Sequence, residues 1–140
     1  MAAIGIAQLK KINILNKKRS NILKKYLSGI KNCKYIKPAY PYMLKNSSYW
    51  LFSVKTKYRD ELINFMKLKN ISTAVHFVPL PLNKIYKKYN KNLKNAMKVW
   101  KDIVSLPFFP DLENKKINYI INCLNQFDKK INNFKNYENI

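Results

Sequence analysis

The stretch YWLFSVKTKYRDELINFMKLKNISTAVHFV, residues 49–78, decides the fold class. Its first six residues, 49–54, are aromatic and β-branched between polar neighbours, and they predict a buried strand. Residues 58–69 carry apolar side chains at helical spacing, with two acidic residues in the first turn, where the helix dipole favours them. Residues 71–78, closed by Pro79, predict a second strand. A strand–helix–strand unit is therefore expected near the middle of the chain.

Helices are predicted on both sides of this unit. Residues 1–30 place apolar side chains at spacings of three and four, which predicts a long packing helix or helix pair; a basic amphipathic membrane helix is the alternative. Residues 92–103 predict a further helix, and a clear periodic run over residues 117–134 predicts the last one. Beyond about Asp128 the chain turns polar and is expected to fray. These elements predict a two-layer α+β fold, in which a long N-terminal helix and further helices cover a small mixed or antiparallel sheet.

Length and composition fit one domain with a packed core, because the chain has 140 residues, of which 47% are apolar. Its longest apolar run, residues 1–7, is far shorter than the ~20 residues of a membrane span, and no secretory signal is expected. Cys33 and Cys123 form no CxxC pair, which favours a reducing, cytoplasmic compartment. With one histidine, they supply no zinc-ligand spacing, so no metal site is predicted. Trp50 and Trp100 are expected to be core aromatics.

The net charge of +21 does not by itself indicate nucleic-acid binding. Of the 28 basic residues only Arg19 and Arg59 are arginine, the residue that reads guanine and phosphate bidentately. Lysine, asparagine and isoleucine are all abundant and share A/T-rich codons, so the bias indicates genome composition acting on tolerant surface positions. No specific nucleic-acid partner is therefore predicted. A stand-alone lysine-rich module that binds nucleic acid or another polyanion stays the alternative, and it predicts affinity that falls steeply with salt.

Several segments, in this order, resemble the DegT/StrS family of sugar-nucleotide aminotransferases, which depend on pyridoxal 5'-phosphate (PLP). They are AAIGIAQL at residues 2–9, RDELI at 59–63, NISTAVHFVPL at 70–80, SLPFFPDL at 105–112 and INYII at 117–121. The resemblance covers only the C-terminal part of such an enzyme. It implies that residues 1–127 form the small domain of a fold-type-I aminotransferase and that residues 128–140 are a polar tail.

The same resemblance implies the activity of the intact enzyme and the partners of this chain. The enzyme would transfer an amino group from an amino-acid donor, through PLP, to a keto-sugar nucleotide for cell-surface polysaccharide or deoxyaminosugar biosynthesis. Its large PLP-binding domain, on the same or a separate chain, and a second subunit in a homodimer are the implied partners. This sequence has no glycine-rich phosphate turn and no lysine in a context that marks a Schiff base. No catalytic or cofactor-binding residue is therefore assigned, and the isolated chain is expected to bind no cofactor and to be inactive.

Three residues are predicted to bind substrate. His76 is the only histidine and lies near the end of the second predicted strand, beside prolines; a hydrogen-bonded structural role is the alternative. The resemblance places His76 and Phe77 near the mouth of the sugar-nucleotide pocket, and Tyr86 matches a further aromatic, for which packing is the alternative. Phe77 stands where the family usually has tyrosine, and Pro81 and Asn83 stand where many members carry histidines. Hydrogen bonds from those family side chains are not expected here.

Overall fold

The structure is a computed structural model that describes residues 2–40, 47–89 and 93–137. Within these residues it has four α-helices and three strands, in the order α1 (Ala2–Gly29), β1 (Lys37–Pro38), β2 (Phe52–Lys55), α2 (Arg59–Leu68), α3 (Lys94–Asp102), β3 (Ile103–Leu106) and α4 (Asn114–Tyr137). Two 3₁₀ turns, Leu80–Leu82 and Lys84–Tyr89, precede α3. The strands form one antiparallel sheet in the order β1-β2-β3. The predicted α+β fold with a small antiparallel sheet and a long N-terminal helix is confirmed.

The core lies on one face of this sheet. Phe52 and Val54 of β2 are fully buried and pack with apolar side chains from β3 and from the C-terminal half of α1, α2 and α4. The ring of Tyr26 stacks on Phe52 with centroids 4.7 Å apart, and its hydroxyl donates to the Pro107 carbonyl at 2.9 Å. Because strand side chains alternate between faces, Ser53 and its partner Ser105 belong to the opposite face.

Helices α1 and α4 cross in close contact at Gly29. A Cβ at this position would lie 2.5 Å from Cγ2 of Ile121, so only glycine permits the observed approach. Asn125 of α4 then donates from Nδ2 to the Gly29 carbonyl at 3.0 Å. One turn further on, the Asp128 carboxylate accepts backbone N–H groups of the segment that follows α1. The helix continues to Tyr137, so the segment expected to fray is helical as far as it is described.

The N-terminal half of α1 extends away from this core. The helix predicted over residues 1–30 is confirmed for residues 2–29, but its buried residues are Ile22, Leu23 and Tyr26, all in the C-terminal half. Leu15 before them is half-buried, and five other large apolar side chains are between 44% and 67% exposed: Ile4, Ile6, Leu9, Ile12 and Ile14. Half of the predicted packing stripe therefore finds no packing partner among the described residues.

Three sequence predictions about the sheet and its surroundings were wrong. Residues 71–78 do not form a strand; only Ala74 pairs, as an isolated bridge to Ser105, and the backbone leaves extended geometry at Phe77, whose φ is 54°. The third strand is instead Ile103–Leu106, whose first residue was expected to end a helix. Trp50 lies before β2 and is 65% exposed, so it is not a core aromatic.

Candidate functional site

The second face of the sheet forms the floor of an open cleft with a volume of about 890 Å³. Its described lining residues come from the approach to β2, from residues 74–81, from α3 and from β3. One face of α3 points into this cleft, since Ala96, Val99 and Trp100 all line it. A cleft of this size is large enough for a small organic ligand.

The lining is mostly apolar and aromatic, with a polar pair at its floor. The Ser53 and Ser105 hydroxyl oxygens lie 2.8 Å apart across β2 and β3, and both side chains are buried. Tyr40, Tyr49, Trp50 and Trp100 contribute aromatic rings to the walls. Aromatic walls with a few fixed polar groups are typical of ligand sites, in which rings supply contact area and polar atoms set orientation.

The structure brings two of the three predicted substrate-binding residues into this cleft. His76 is half-buried, and its ring centroid lies 6.4 Å from that of Trp50 and 6.1 Å from that of Phe77. Phe77 also lines the cleft and is 82% exposed. Tyr86 is outside the described lining and lies in the second 3₁₀ turn, half exposed. His76 and Phe77 therefore share one site, whereas Tyr86 does not reach it.

Two cleft residues were missed because their role was read as core packing. Trp50 neighbours His76 at the rim, and Trp100 forms part of the α3 wall. Trp50 could have been placed outside the core because it lies near the start of the aromatic run, just before the strand begins at Phe52. Trp100 carried no such signal, because an apolar helix face looks the same whether it faces a core or a cleft.

The cleft does not fit PLP as a site by itself. The described lining contains no lysine, arginine, aspartate or glutamate. PLP needs an amine for its aldehyde, donors for its phosphate and, in this enzyme class, a carboxylate near its pyridine nitrogen. The residues described here also include no group of three or more His, Cys, Asp or Glu side chains placed to hold a metal ion. Across the same residues, no helix is long and apolar enough to cross a membrane.

Comparison with solved structures identifies the class of protein to which this fold belongs. DesV from S. venezuelae, solved in complex with a ketimine intermediate, superposes with a TM-score of 0.85 at 27% identity over 91% of this chain and 35% of its own. Spr1654 from Streptococcus pneumoniae, which is described as a sugar aminotransferase and solved in its PMP form, gives a TM-score of 0.81 at 26% identity over 94% of this chain and 35% of its own. The fold is that of the C-terminal part of such aminotransferases.

Sequence comparison gives the family. A model of the DegT/DnrJ/EryC1/StrS aminotransferase family matches residues 1–125, and the chain belongs to that family. Aminotransferases of this family depend on PLP. The uncharacterized protein MJ1066 of Methanocaldococcus jannaschii is 34% identical over 139 residues, which is 88% of this chain and 34% of that protein. This chain therefore spans about a third of the length of the relatives that it matches.

Proposed function

We propose that this chain is the C-terminal part of an aminotransferase that moves an amino group from an amino-acid donor to a keto-sugar nucleotide. The observation that carries the proposal is the family match over residues 1–125 together with the aromatic cleft that holds His76 and Phe77. The ketimine complex of DesV supports transamination as the reaction class. The product would enter cell-surface polysaccharide or deoxyaminosugar biosynthesis in the cytoplasm.

Binding of substrate and covalent chemistry are divided between two parts of the enzyme in this proposal. The described lining of the cleft lacks the amine, the cation and the carboxylate that PLP requires, which supports a cofactor site in the remaining part of the enzyme. This chain supplies substrate contacts and excludes water where it closes over the reacting groups. The isolated chain is therefore proposed to be inactive and to bind no PLP.

The N-terminal half of α1 is the proposed contact with the rest of the enzyme. Residues 2–9 carry no charge, although charged residues make up 25% of the chain. All eight of these uncharged residues are exposed. Successive helix positions are about 100° apart, so Ile4 and Ile6 lie on nearly opposite sides and Leu9 lies between them. A helix that is apolar all round is ordinarily surrounded by protein. The large PLP-binding domain and a second subunit of a homodimer are the proposed neighbours.

His76 and Phe77 are the proposed substrate contacts. The imidazole can donate and accept hydrogen bonds, and the rings beside it offer flat apolar surface for a nucleotide base or sugar. Phe77 holds a large exposed ring on a backbone with φ of 54°, a conformation that costs energy for a bulky residue, and strained residues of this kind cluster at functional sites. Substrate binding by Tyr86 remains a prediction that depends on the family resemblance alone.

The test of this function is steady-state kinetics of the whole aminotransferase that contains this chain. His76→Ala and Phe77→Ala are each expected to raise KM for the keto-sugar nucleotide about tenfold, with a smaller change in kcat, because both residues bind rather than react. Ile85→Ala is the matched control, since Ile85 is apolar, 74% exposed and outside the described cleft lining. Equal KM values for wild type and both cleft variants, or transamination by the isolated chain with added PLP, would contradict the proposal.

Polyanion binding remains a second candidate function because of one surface feature. Three lysine pairs recur at seven-residue intervals along α1 and share one exposed face: Lys10 and Lys11, Lys17 and Lys18, Lys24 and Lys25. Such a stripe would release counterions from a phosphate backbone, with a steep dependence of the affinity on salt. Titration of duplex DNA at several salt concentrations tests this candidate, and a shallow slope excludes it.

A further inference from the structure

The α3 wall of the cleft has no core packing of its own. None of the residues of α3 is buried, although Ala96, Val99 and Trp100 all line the cleft. Most of the stability of a short helix in a protein comes from packing of an apolar face against other elements. The position of this wall must therefore depend on contacts at the ends of the helix.

The last turn of α3 is tied to the start of α2 through Arg59. Its Nη1 donates to the Trp100 carbonyl at 2.8 Å, and its guanidinium carbon lies 5.2 Å from the centroid of the Trp100 ring. Asp60 orients the guanidinium, because its Oδ1 accepts from Nε and pairs with Nη2, each at 2.8 Å. The Arg59 side chain is only 14% exposed, which strengthens these charged contacts. A backbone hydrogen bond from Thr56 to the Asp102 carbonyl reinforces the same corner.

The Trp100 ring is not anchored by a hydrogen bond from its own indole N–H to any described group. Its indole Nε1 is buried and has no hydrogen-bond partner among the described groups. A buried indole usually satisfies its N–H, so this ring is positioned by something other than its polar atom. The contacts that the structure gives to Trp100 on this side are those of Arg59 with its carbonyl and its ring.

The amino-acid composition supports a specific need for arginine at this position. Lysine fills all but two of the 28 basic positions, and Arg59 is one of those two. A lysine ammonium is a point charge that cannot present a planar fork to a carbonyl and a carboxylate while it lies over a ring. Arginine at this position therefore suits these contacts in a way that lysine, the common basic residue of this chain, does not.

We propose that Arg59 is the positioning residue of the cleft: it fixes α3 and the Trp100 ring as a wall. Loss of the guanidinium fork loosens that wall and leaves the hydrophobic core intact, because α3 contributes no buried side chain. The effect on substrate affinity rests on the proposed function, whereas the effect on α3 does not.

The experiment compares Arg59→Lys and Arg59→Gln with wild type by nuclear magnetic resonance and amide hydrogen exchange on this chain. The Trp100 indole N–H signal is expected to shift or broaden in both variants, and the α3 amides are expected to exchange about tenfold faster. The Trp50 indole signal and the amides of α4 should keep their wild-type values. Arg19→Lys is the matched control, since Arg19 contacts the side chain of its helix neighbour Asn16 and should leave Trp100 unchanged.

Two results would overturn this proposal. An unchanged Trp100 signal with unchanged α3 exchange in Arg59→Gln would show that the wall is held without the guanidinium. Equal acceleration of α3 and α4 amides would show that Arg59 supports the whole fold rather than the wall. In the whole enzyme, Arg59→Lys is expected to raise KM for the keto-sugar nucleotide more than it lowers kcat. Loosened α3 with unchanged KM would count against the proposed function of the cleft while leaving the positioning role intact.

Discussion

Asp128 is the position at which one substitution most directly tests how α4 is joined to the rest of the fold. Asp128 is 8% exposed, and its carboxylate accepts three backbone N–H groups: Lys34 to Oδ2 at 2.8 Å, and Tyr35 and Ile36 to Oδ1 at 2.7 Å and 3.2 Å. These contacts fix the turn between α1 and β1. Asp128, the first residue of the predicted polar tail, thus holds the segment that leads into the sheet.

Asp128→Ala is expected to lower the free energy of unfolding by about 3 kcal/mol. Each hydrogen bond to a charged acceptor contributes ~1.5–3 kcal/mol, but water can replace the acceptor for Lys34 and Tyr35, which are not buried. Ile36 is fully buried, so its N–H is the most costly group to leave unpaired. Asp128→Asn should lower the free energy of unfolding by about half as much. Its Oδ1 can still accept hydrogen bonds, whereas its NH2 group would face the Lys34 N–H and cannot accept from it.

Urea unfolding followed by circular dichroism measures this cost, with the m-value held as a check on two-state behaviour. Asp111→Ala is the matched control: its carboxylate is 78% exposed and pairs with Lys18 at the surface, so the expected loss is below about 0.5 kcal/mol. A loss below about 0.5 kcal/mol for Asp128→Ala would refute the reasoning, because the carboxylate would then contribute no more than a surface charge.

Three further predictions concern packing, ionisation and docking. Gly29→Ala should destabilise the chain by ~1–3 kcal/mol, since its Cβ would meet Ile121 at 2.5 Å. Combination with Ile121→Ala should recover part of this loss. Strictly additive losses of unfolding free energy in the double variant would contradict the prediction. Burial, followed by the charge of Asp128, raises the pKa of Cys33 from 9.0 to about 11. Stability from the neutral thiol is therefore complete below about pH 9 and lost as pH rises towards about 11. Cys33→Ser should lack this loss. Urea midpoints of wild type and Cys33→Ser that fall in parallel as pH rises would rule the effect out. Leu9→Lys should change the unfolding free energy of the isolated chain by less than ~0.5 kcal/mol, because Leu9 is 67% exposed. The same substitution should prevent assembly of the whole enzyme. Normal assembly, measured by gel filtration, would contradict the docking role of α1.

The helices could be predicted from sequence because their signals are local and long. The apolar spacing in α1 and α4 repeats over many turns, and the acidic first turn and Asn70 mark the two ends of α2. Asn70 adopts φ of 57°, the left-handed geometry that asparagine tolerates at a helix end. Signals of this kind do not depend on distant parts of the chain.

The strands could not be assigned equally well because both candidates are short apolar runs. Residues 71–78 and residues 103–106 look alike locally, and pairing with β2 decides between them. That pairing joins positions about fifty residues apart along the chain, so no local pattern reports it. The proline at 79 was taken to close a strand, whereas it follows the left-handed turn at Phe77.

The candidate site was predicted in part. His76 and Phe77 were identified through the family resemblance, and the structure places both in one cleft. The cleft positions of Trp50 and Trp100 and the contacts of Arg59 were not predicted, because they depend on how distant segments of the chain pack together. Tyr86 shows the converse, since its motif matches the family while its side chain lies away from the described lining.

The central claim is that this chain works as part of a larger PLP-dependent aminotransferase. Its most direct test is to recover the native protein with an antibody against α4, and to record the polypeptide masses and the absorption of bound PLP. We expect the epitope to lie on, or to be bound to, a polypeptide with a PLP-binding domain, because this chain spans only 34–35% of the relatives that it matches. A free 140-residue chain with no PLP and no bound polypeptide would contradict it.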